Sequence, residues 1–405
     1  MNIIGVVSEY NPFHNGHGFQ LQRSRELLGD DSTVVCVMSG DFVQRGEAAV
    51  FSKFARAEAA CRSGADLVIE LPLPWALSSA EGFARGSVGL LAALGASHIS
   101  FGSEEGDTGP LEEIAECLLD ASLTDRIKLI MNKEANISYA SARQLALAER
   151  LGDKARLIEK PNNILGIEYI KAIYESNLTV KPVTIKRSGS GHDETYGGEG
   201  PRSASELRSM LRRGNDISDF VPPTAATVFK RQTEQGRAIL DPAAIELAML
   251  SRLRMFDEDY FNSLPDATDG LGNRLYKAAA EKPSLSDVHE AVKTKRYAMS
   301  RIRRMCVCAC LGVKAGMNAG VPPFARVLAA NAKGCALMRE INNKNDIPLI
   351  SKPASVRFLS ADCTKLFAIG AAAHDLFVLG YGAQEHKKGG ADWKTSPIIV
   401  QDGQN

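Results

Sequence analysis

The sequence predicts an α/β protein built on a parallel β-sheet, and three observations support this prediction. Short apolar, β-branched segments alternate with helical segments through the first half of the chain. Strand-like segments largely vanish between about residues 203 and 311, where helical patterns dominate. They return after the Gly-Val-Pro-Pro turn at 320–323. We therefore expect an α/β domain over residues 1–200, a helical domain over 201–318 and a small α/β region over 319–405.

The first part follows the spacing of βαβ units. Strands are predicted over Asn2–Val7, Thr33–Met38, Asp66–Leu71, His98–Phe101 and Thr179–Lys186. Helices are predicted after His14 to about Leu28, over Lys53–Arg62, Glu81–Leu94 and Leu111–Leu151, and from Asn162 to about Tyr174. The Gly-rich stretch Ser188–Gly200 predicts a loop. In such sheets ligands bind at the carboxyl ends of the strands, so the loops after the first four strands are expected to carry the chemistry.

The last part has a weaker pattern. Possible strands lie among helices at Arg326–Ala330, Leu349–Ser351 and Phe377–Leu379. Short apolar runs of this kind do not distinguish a strand from a buried piece of helix. Whether these three segments are strands therefore depends on how the rest of the chain packs around them.

Length and composition exclude a disordered or low-complexity chain. Of 405 residues, 44% are hydrophobic and 24% are charged, as in an ordinary globular protein. Basic and acidic residues both number 48, so an RNA-binding surface must be a local basic cluster. The N-terminus has no signal-peptide pattern, and apolar stretches such as Ser87–Gly95 and Cys306–Val313 are too short to span a bilayer. We expect a soluble, cytoplasmic protein that does not enter a membrane.

The strongest chemical pattern is His14-x-Gly16-His17, directly after the first strand and at the start of a helix. A helix N-terminus offers free N–H groups, the glycine permits close approach, and two imidazoles project towards one anionic site. This arrangement suits a nucleoside triphosphate, whose negative charge grows as its α-phosphate reacts. The alternative is a surface loop with two unrelated histidines, but the position after the first strand argues against it.

No metal site is predicted. The HxGH segment has no acidic or histidine partner close in sequence. Cys306, Cys308 and Cys310 lie two residues apart in an apolar segment, but no histidine or cysteine completes a finger-like spacing. We expect these cysteines to be small buried residues on a helix.

Several longer segments resemble one family. They are Glu9–His17 (EYNPFHNGH), Ser39–Gly46 (SGDFVQRG), Ala65–Pro72 (ADLVIELP), Phe101–Glu104 (FGSE), Lys160–Gly166 (KPNNILG) and Ile185–Arg187 (IKR). Together they resemble the bacterial tRNA(Met) cytidine acetate ligases, which belong to the HIGH-motif nucleotidylyltransferase superfamily. The resemblance covers most of residues 1–210 and, more loosely, 295–352.

The resemblance implies a Rossmann-like nucleotidylyltransferase domain and an ATP-dependent ligase that forms a carbon–nitrogen bond. Acetate attacks the α-phosphate of ATP, which gives acetyl-adenylate and pyrophosphate. The exocyclic amine of the wobble cytidine of elongator tRNA(Met) then takes the acetyl group, which gives N4-acetylcytidine. Mg²⁺ is expected to arrive with ATP, because no dense carboxylate cluster lies near the HxGH segment.

The resemblance also implies a set of ATP-binding residues, with His14 and His17 acting on adenylation rather than on folding. In the first loop these are Val7, Ser8, Glu9, Tyr10, Asn11, Pro12, Phe13, His14, Asn15, Gly16, His17, Gly18, Phe19 and Gln20. Gly102, Asn162 and Arg187 are implied to complete the site.

The chemistry of these last three residues agrees with the implied roles. Gly102 lets the backbone approach a ligand. The Asn162 amide suits an adenine edge or a ribose, with helix capping as the alternative. Arg187 suits a phosphate, with a plain surface arginine as the alternative.

Two further segments bear on the ATP site. Residues 203–208, with Ser205 and Arg208, resemble a Ser/Thr-rich segment of the superfamily that touches triphosphate, although Ser-x-x-Glu is equally a capping box. At 190–193 the chain departs from the family, because a tyrosine is expected before His192.

A basic segment at 293–304 is the candidate tRNA-binding surface. Six of its twelve residues are basic and none is acidic: Lys293, Lys295, Arg296, Arg301, Arg303 and Arg304. Such a segment with an interleaved tyrosine, Tyr297, suits an RNA backbone and one stacked base. A solvated helix face is the alternative. Four more arginines, Arg202, Arg208, Arg212 and Arg213, are expected to extend this surface towards the catalytic cleft.

Two other functions compete with the RNA-modifying ligase. One is a small-molecule nucleotidylyltransferase that adenylylates a cofactor precursor and uses its C-terminal half for oligomerisation. It would need few of the roughly 200 residues beyond the first domain, and the basic segment favours RNA. The other is a non-catalytic nucleotide-sensing or RNA-binding protein, against which the intact His14, Gly16 and His17 argue. The oligomeric state stays open.

Overall fold

A mostly parallel sheet forms the centre of the computed structural model, which describes residues 2–134, 137–187, 202–344 and 347–401. The strands are β1 Ile3–Ser8, β2 Thr33–Ser39, β3 Phe42–Val43, β4 Glu47–Ala48, β5 Leu67–Leu71, β6 His98–Ser103, β7 Lys181–Lys186, β8 Ala325–Ala330, β9 Leu349–Ile350 and β10 Ile398–Ile399. Helices cover both faces of the sheet, so the predicted α/β fold class is confirmed.

The helices fall into two groups along the chain. Those up to β7 are α1 Asn15–Leu28, α2 Lys53–Arg62, α3 Leu73–Ala76, α4 Ala80–Ala93, α5 Thr108–Leu119, α6 Ala121–Lys133, α7 Tyr139–Leu151 and α8 Pro161–Glu175. The later ones are α9 Ala204–Arg212, α10 Pro223–Glu234, α11 Ala243–Leu253, α12 Glu258–Asn262, α13 Leu271–Glu281, α14 Leu285–Val292, α15 Met299–Leu311, α16 Ala332–Lys344 and α17 Ala361–Phe377. Short 3₁₀ helices cover Gly152–Glu159, Ser218–Phe220, Pro353–Phe358, Val378–Gly380 and Gln384–His386.

The strand order places the first loop at the centre of the sheet edge. The order is β10-β8-β5-β2-β1-β6-β7, with β9 also paired to β8. Strands β5, β2, β1, β6 and β7 are mutually parallel, so their carboxyl ends meet at one edge. Because β1 lies between β2 and β6, the loop that follows β1 lies between the loops that follow its neighbours.

Strands from the predicted C-terminal region extend this same sheet. β8 pairs antiparallel with β5, and β10 pairs with β8. β8 is buried along its whole length, as expected for a strand covered on both faces. The division into three parts stays a prediction, but its third part shares a hydrogen-bonded sheet with its first.

Apolar side chains form one core on each face of the sheet and another in the helical part. Leu91 and Ile99 belong to the core on one face, and Leu21 and Phe229 to the core on the other. The helical core includes Cys306, Cys308 and Cys310, all buried on α15 with free thiols. The predicted helical burial of these cysteines is confirmed.

The structure differs from the predicted elements at three places. Phe377–Leu379 is not a strand, because α17 runs to Phe377 and continues as a 3₁₀ turn packed into the helical core. The predicted helix Leu111–Leu151 is three helices, since Asp120 and Ser138 cap new N-termini. The two-residue strands β3, β4 and β10 were not predicted, because pairs of residues carry no periodicity.

One helical segment, Ala361–Gly380, is long and apolar enough to cross a membrane by length and composition. Its charged residues kept it from standing out as an apolar run in the sequence. Phe377 is fully buried, and His374 Nδ1 lies 2.8 Å from a carboxylate oxygen of Asp41. These contacts place the segment against the protein interior, so we interpret it as a core helix.

Candidate active site

His14 and His17 hold each other and the start of α1 in place. His14 is the N-cap of α1, and its Nδ1 accepts a hydrogen bond of 3.1 Å from the Gly16 N–H. His17 Nδ1 accepts one of 3.2 Å from the His14 N–H, which completes a reciprocal capping box. The two rings stack with centroids 3.7 Å apart. The histidines therefore stabilise the helix start, a role that the sequence interpretation did not give them.

Burial decides the charge of the two rings, and these hydrogen bonds decide which ring nitrogen carries the proton. Burial lowers the pKa of His14 to about 4, and burial together with His14 and Arg187 lowers the pKa of His17 well below its usual value. Both imidazoles are therefore neutral near pH 7. Because each Nδ1 accepts a hydrogen bond, the remaining ring proton is on Nε2. Each ring thus keeps one Nε2–H donor for an anion, while Arg187 supplies positive charge.

Gly16 lies beside the His14 ring. A Cβ added at Gly16 would come within 3.0 Å of His14 Cε1, closer than real Cβ contacts normally come. Asn15 and Gly16 are exposed, whereas Gly18, Phe19 and Gln20 are half-buried on the first turns of α1. The N–H groups of Gly16, His17 and Gly18 already donate to His14, so these three groups are not free to bind a ligand.

The preceding part of the loop is anchored inwards. Asn11 Oδ1 accepts a hydrogen bond of 2.9 Å from the Val50 N–H, and Tyr10 and Phe13 are buried with ring centroids 4.7 Å apart. The Glu9 carboxylate accepts 2.7 Å from the Gln44 N–H, and burial raises its pKa. Val7 and Ser8 end β1, and Pro12 is buried in a cis peptide bond. Most of these side chains therefore shape the loop.

Arg187 and Gly102 flank the histidines from the neighbouring strands. Arg187 follows β7, and its backbone N–H donates to the Ser103 carbonyl across the β6–β7 pair. Its side chain crosses Gly102, where an added Cβ would come within 3.1 Å of Arg187 Cγ. The charge of Arg187 is close enough to lower the pKa of both His14 and His17. The structure thus brings these four residues together.

Asn162 lies on the same edge but has a protein partner. Lys160, not Asn162, is the N-cap of α8. The Asn162 amide donates 2.7 Å to the Glu104 carboxylate, which also accepts 2.9 Å from the Asn163 N–H. Glu104 therefore fixes the first turn of α8. The sequence analysis gave Glu104 no role of its own. Its position directly after β6 was the feature that could have pointed to one.

The segment 203–208 is divided between two roles. Ser203 and Glu206 form the capping box that was the plain alternative, and Ser205 is exposed. Arg208 Nη1 donates 2.9 Å to the Asn11 carbonyl, so this arginine reaches the first loop. The unusual 190–193 segment with His192 lies outside the described residues.

Arg56, which the sequence interpretation missed, supports the site from beneath. It is fully buried, and its guanidinium donates to the carbonyls of Phe51, Glu9, Ser39 and Gly40. Two of these carbonyls belong to residues that follow β1 and β2 directly. Its place between two alanines of α2 was the available sequence signal.

Several side chains of the basic segment 293–304 are already engaged by other residues of the protein. Lys293, Lys295 and Arg296 are exposed, although Arg296 Nη2 lies 3.0 Å from Asp269. Arg301 donates 2.7 Å to the Asp266 carbonyl, and Arg303 pairs with Glu47 of the hairpin β3–β4. These contacts reduce the number of cations that can face RNA.

Two residues of this segment are buried. Arg304 is 8% exposed and pairs with Asp266 at 3.3 Å, so we withdraw it from the candidate RNA surface. Tyr297 is 7% exposed, and its hydroxyl donates to the Asp269 carbonyl. The interpretation of Tyr297 as a stacking platform was therefore wrong. A buried hydrogen-bonded ring cannot offer its face to a base.

Comparison with known proteins identifies the family. A family model described as HIGH Nucleotidyl Transferase matches residues 1–392. A tRNA(Met) cytidine acetate ligase from Thermoanaerobacter sp. (strain X514) is 36% identical over 392 residues, which are 94% of this chain and 96% of that protein. The enzyme of the same name from Thermosipho africanus (strain TCF52B) is 34% identical, with 99% and 100% covered. The chain belongs to the tRNA(Met) cytidine acetate ligase family.

Solved structures of this family share the whole architecture. Thermotoga maritima TmcAL bound with alpha-thio ATP superimposes with a TM-score of 0.90 at 30% identity, covering 99% of this chain and 100% of that one. Its apo form gives a TM-score of 0.92 with the same coverage. The family and fold predictions are confirmed. The small-molecule nucleotidylyltransferase is not favoured, because the tRNA(Met) cytidine acetate ligases match this chain over nearly their full length, including the helical part.

Proposed function

We propose that this protein uses ATP and acetate to acetylate the wobble cytidine of elongator tRNA(Met) to N4-acetylcytidine. The observation that carries the proposal is the pair of neutral, mutually fixed imidazoles beside Arg187, in a chain that belongs to this ligase family over nearly its full length. The pair lies at the carboxyl edge of the parallel sheet, where ligands of such sheets bind.

In the first step an acetate oxygen bonds to the α-phosphorus of ATP, and the bond from that phosphorus to the pyrophosphate oxygen breaks. Pyrophosphate leaves with the electron pair, and acetyl-adenylate remains. The Nε2–H groups of His14 and His17 and the guanidinium of Arg187 stabilise the charge that grows on the phosphate oxygens. Neutral imidazoles serve here as fixed hydrogen-bond donors, which need no rearrangement as the charge develops.

The ATP site comprises the loop Val7–Gln20 with Gly102, Asn162 and Arg187. Arg208 supports this loop through the Asn11 carbonyl, and the exposed Ser205 is placed at the rim of the site. Mg²⁺ enters on the triphosphate. At such sites this ion typically keeps most of its waters and is bound through the substrate phosphates.

In the second step the N4 amine of cytidine bonds to the acetyl carbon, and the bond from that carbon to the AMP oxygen breaks. AMP leaves with the electron pair, and N4 loses a proton to solvent. The exposed cations Lys293, Lys295 and Arg296 contact the tRNA backbone. Because its substrates are tRNA, ATP and acetate, we place the enzyme in the cytoplasm.

The proposal is tested by supplying labelled acetate, ATP, Mg²⁺ and a tRNA(Met) transcript to the purified protein. We expect labelled N4-acetylcytidine at the wobble position, with AMP and pyrophosphate released in step. A transcript with uridine at that position is the matched control and should stay unlabelled. Omitting Mg²⁺ in the presence of a chelator should stop the reaction. Absence of acetate-dependent pyrophosphate release from the complete mixture would refute the function.

A further inference from the structure

A cavity lies near the first loop, between the hairpin β3–β4 and the helical part of the chain. Its volume is about 190 Å³. Its ionisable lining side chains are Glu47 of the hairpin, Arg212 at the end of α9, Glu246 of α11, His289 of α14 and Arg303 of α15, and Ser286 of α14 adds a hydroxyl. Phe42 and Met249, both buried, add apolar wall. The cavity shares no lining residue with the loop Val7–Gln20.

Two separate connections tie this cavity to the candidate active site. The Glu9 carboxylate accepts from the Gln44 N–H, and Glu47 lies three residues further along the same hairpin. On the other side Arg208 donates to the Asn11 carbonyl, and Arg212 follows one helical turn later on α9. The cavity is therefore adjacent to the loop on which acetyl-adenylate would form.

The cavity matches a neutral, hydrogen-bonding ligand rather than a phosphate. Its two carboxylates balance its two guanidinium groups, and Glu47 and Arg303 already form an ion pair. Burial lowers the pKa of His289 to about 4, so this ring adds no charge near pH 7. A volume of about 190 Å³ lies below the usual range of about 300–1,000 Å³ for drug-sized ligands and suits a single base.

His289 contributes an unpaired polar atom to the cavity wall. Its Nε2 is buried and has no hydrogen-bond partner among the described residues. Buried polar atoms in proteins nearly always have a partner, so an orphan in a cavity wall marks a place for one. The carbonyl of His289 accepts 3.0 Å from the Lys293 N–H, so the exposed basic residues begin one turn further along.

Resting on the proposed function, we propose that this cavity receives the acceptor cytosine, turned out of its stack, between the hairpin β3–β4 and helices α11 and α14. Carboxylates accept from the cytosine N4 amine, and arginines donate to its ring acceptors, so the lining of Glu47, Glu246, Arg212 and Arg303 complements this base. The N4 amine faces the hairpin, which is the side on which the first loop lies. Turning the base out is the general solution for enzymes that modify a base.

The test separates the two steps of the reaction. Acetate-dependent exchange of labelled pyrophosphate into ATP, without tRNA, reports adenylation. Acetylation of tRNA reports transfer, and each variant's transfer rate is divided by its own exchange rate. Glu246→Gln and His289→Gln alter the cavity. Glu281→Gln is the matched control, an exposed glutamate of α13 that does not line it.

We expect the normalised transfer rate at low tRNA concentration to fall about 10-fold or more in Glu246→Gln and His289→Gln and to stay unchanged in Glu281→Gln. A tRNA that carries the fluorescent analogue pyrrolocytosine at the wobble position gives a second readout. Its fluorescence should rise when the wild-type protein binds and the base unstacks, and less so with Glu246→Gln.

Normal normalised transfer by both cavity variants, or no fluorescence rise with wild type, would overturn the cavity assignment and leave the proposed function intact. Absence of acetate-dependent exchange in the wild-type protein would instead remove the proposed function.

Discussion

Single residues in the first loop combine a structural and a chemical role. His14 and His17 cap α1 through Nδ1 and leave Nε2 for a ligand. Alanine at either position should lower adenylation about 10²-fold, as when one preorganised donor is removed, and should also cost about 1 kcal/mol of stability through the lost cap. Pyrophosphate exchange and urea unfolding measure the two effects.

His14→Asn and His17→Gln separate these effects. Asparagine is a good N-cap, and glutamine at the third helical position can complete a capping box. Both variants should therefore unfold like wild type but lose adenylation like the alanine variants. If instead they keep wild-type exchange rates, the histidines serve only as caps.

Burial of His14 also gives stability a pH dependence. Its pKa falls from 6.5 to about 4 on folding, so only the unfolded chain takes up a proton as the pH falls through that window. The stabilisation is present above pH 6.5 and is lost on acidification towards pH 4. We expect wild type to lose about 2 kcal/mol more than His14→Asn between pH 7 and pH 5. Equal losses in chemical denaturation at the two pH values would contradict this.

At the scale of elements, the hairpin β3–β4 is docked on α15 at one glycine. Gly46 has φ 76°, and an added Cβ would come within 2.4 Å of the Arg304 backbone nitrogen. Gly316 has φ 82° with nothing within 4 Å of its Cβ position. Gly316→Ala should cost about 1–2 kcal/mol of conformational strain, and Gly46→Ala clearly more because the hairpin must also move. Matching urea midpoints for the two variants would show that the contact is unimportant.

The proposed RNA-binding role of the basic segment predicts how tRNA affinity depends on salt concentration. Replacing Lys293, Lys295 and Arg296 by alanine together should flatten the slope of log K for tRNA against log salt by roughly two units, at about 0.7 per single-stranded phosphate contact. The control removes the same charge elsewhere, with alanine at Lys128, Lys133 and Arg156, all exposed on the α/β part. A slope that changes equally in both variants would make the segment a plain solvated face.

At the scale of the whole molecule, a buried charge network ties the C-terminal segment to the sheet. Lys53 Nζ lies 2.8 Å from Glu70 and 2.9 Å from Asp392, and Arg326 donates 2.8 Å to Asp392 Oδ1. Burial opposes ionisation of Asp392, but the cations Lys53 and Arg326 hold its pKa below the usual value. The network joins α2, β5, β8 and residue 392, so these distant segments depend on one another.

Removing one charge from this network should therefore be costly. Asp392→Asn leaves Lys53 and Arg326 short of a buried partner and should lower the unfolding free energy by about 3–5 kcal/mol. Glu385→Gln, an exposed change in the same C-terminal segment, should have little effect. Similar denaturation midpoints for both variants would mean that water or Glu70 compensates for the lost carboxylate.

The sequence by itself determined the parallel sheet, the bounds of α2 and the position of the HxGH segment at the start of a helix. These features are local, since strand and helix periodicities and caps are encoded by neighbouring residues. The family resemblance added the proposed chemistry. Local patterns were also enough to predict that the cysteines of α15 are buried on a helix.

Only the tertiary structure decided which charged residues are free to bind. Arg304 and Tyr297 looked like RNA ligands in the sequence, but both are buried and hydrogen-bonded to Asp266 and Asp269, which are 38 and 28 residues away. Arg56, Lys53 and Asp392 meet partners distant in the sequence, and His289 lines a cavity together with a hairpin more than two hundred residues earlier. Burial and ion pairing depend on which distant segments pack together, and no local pattern records that.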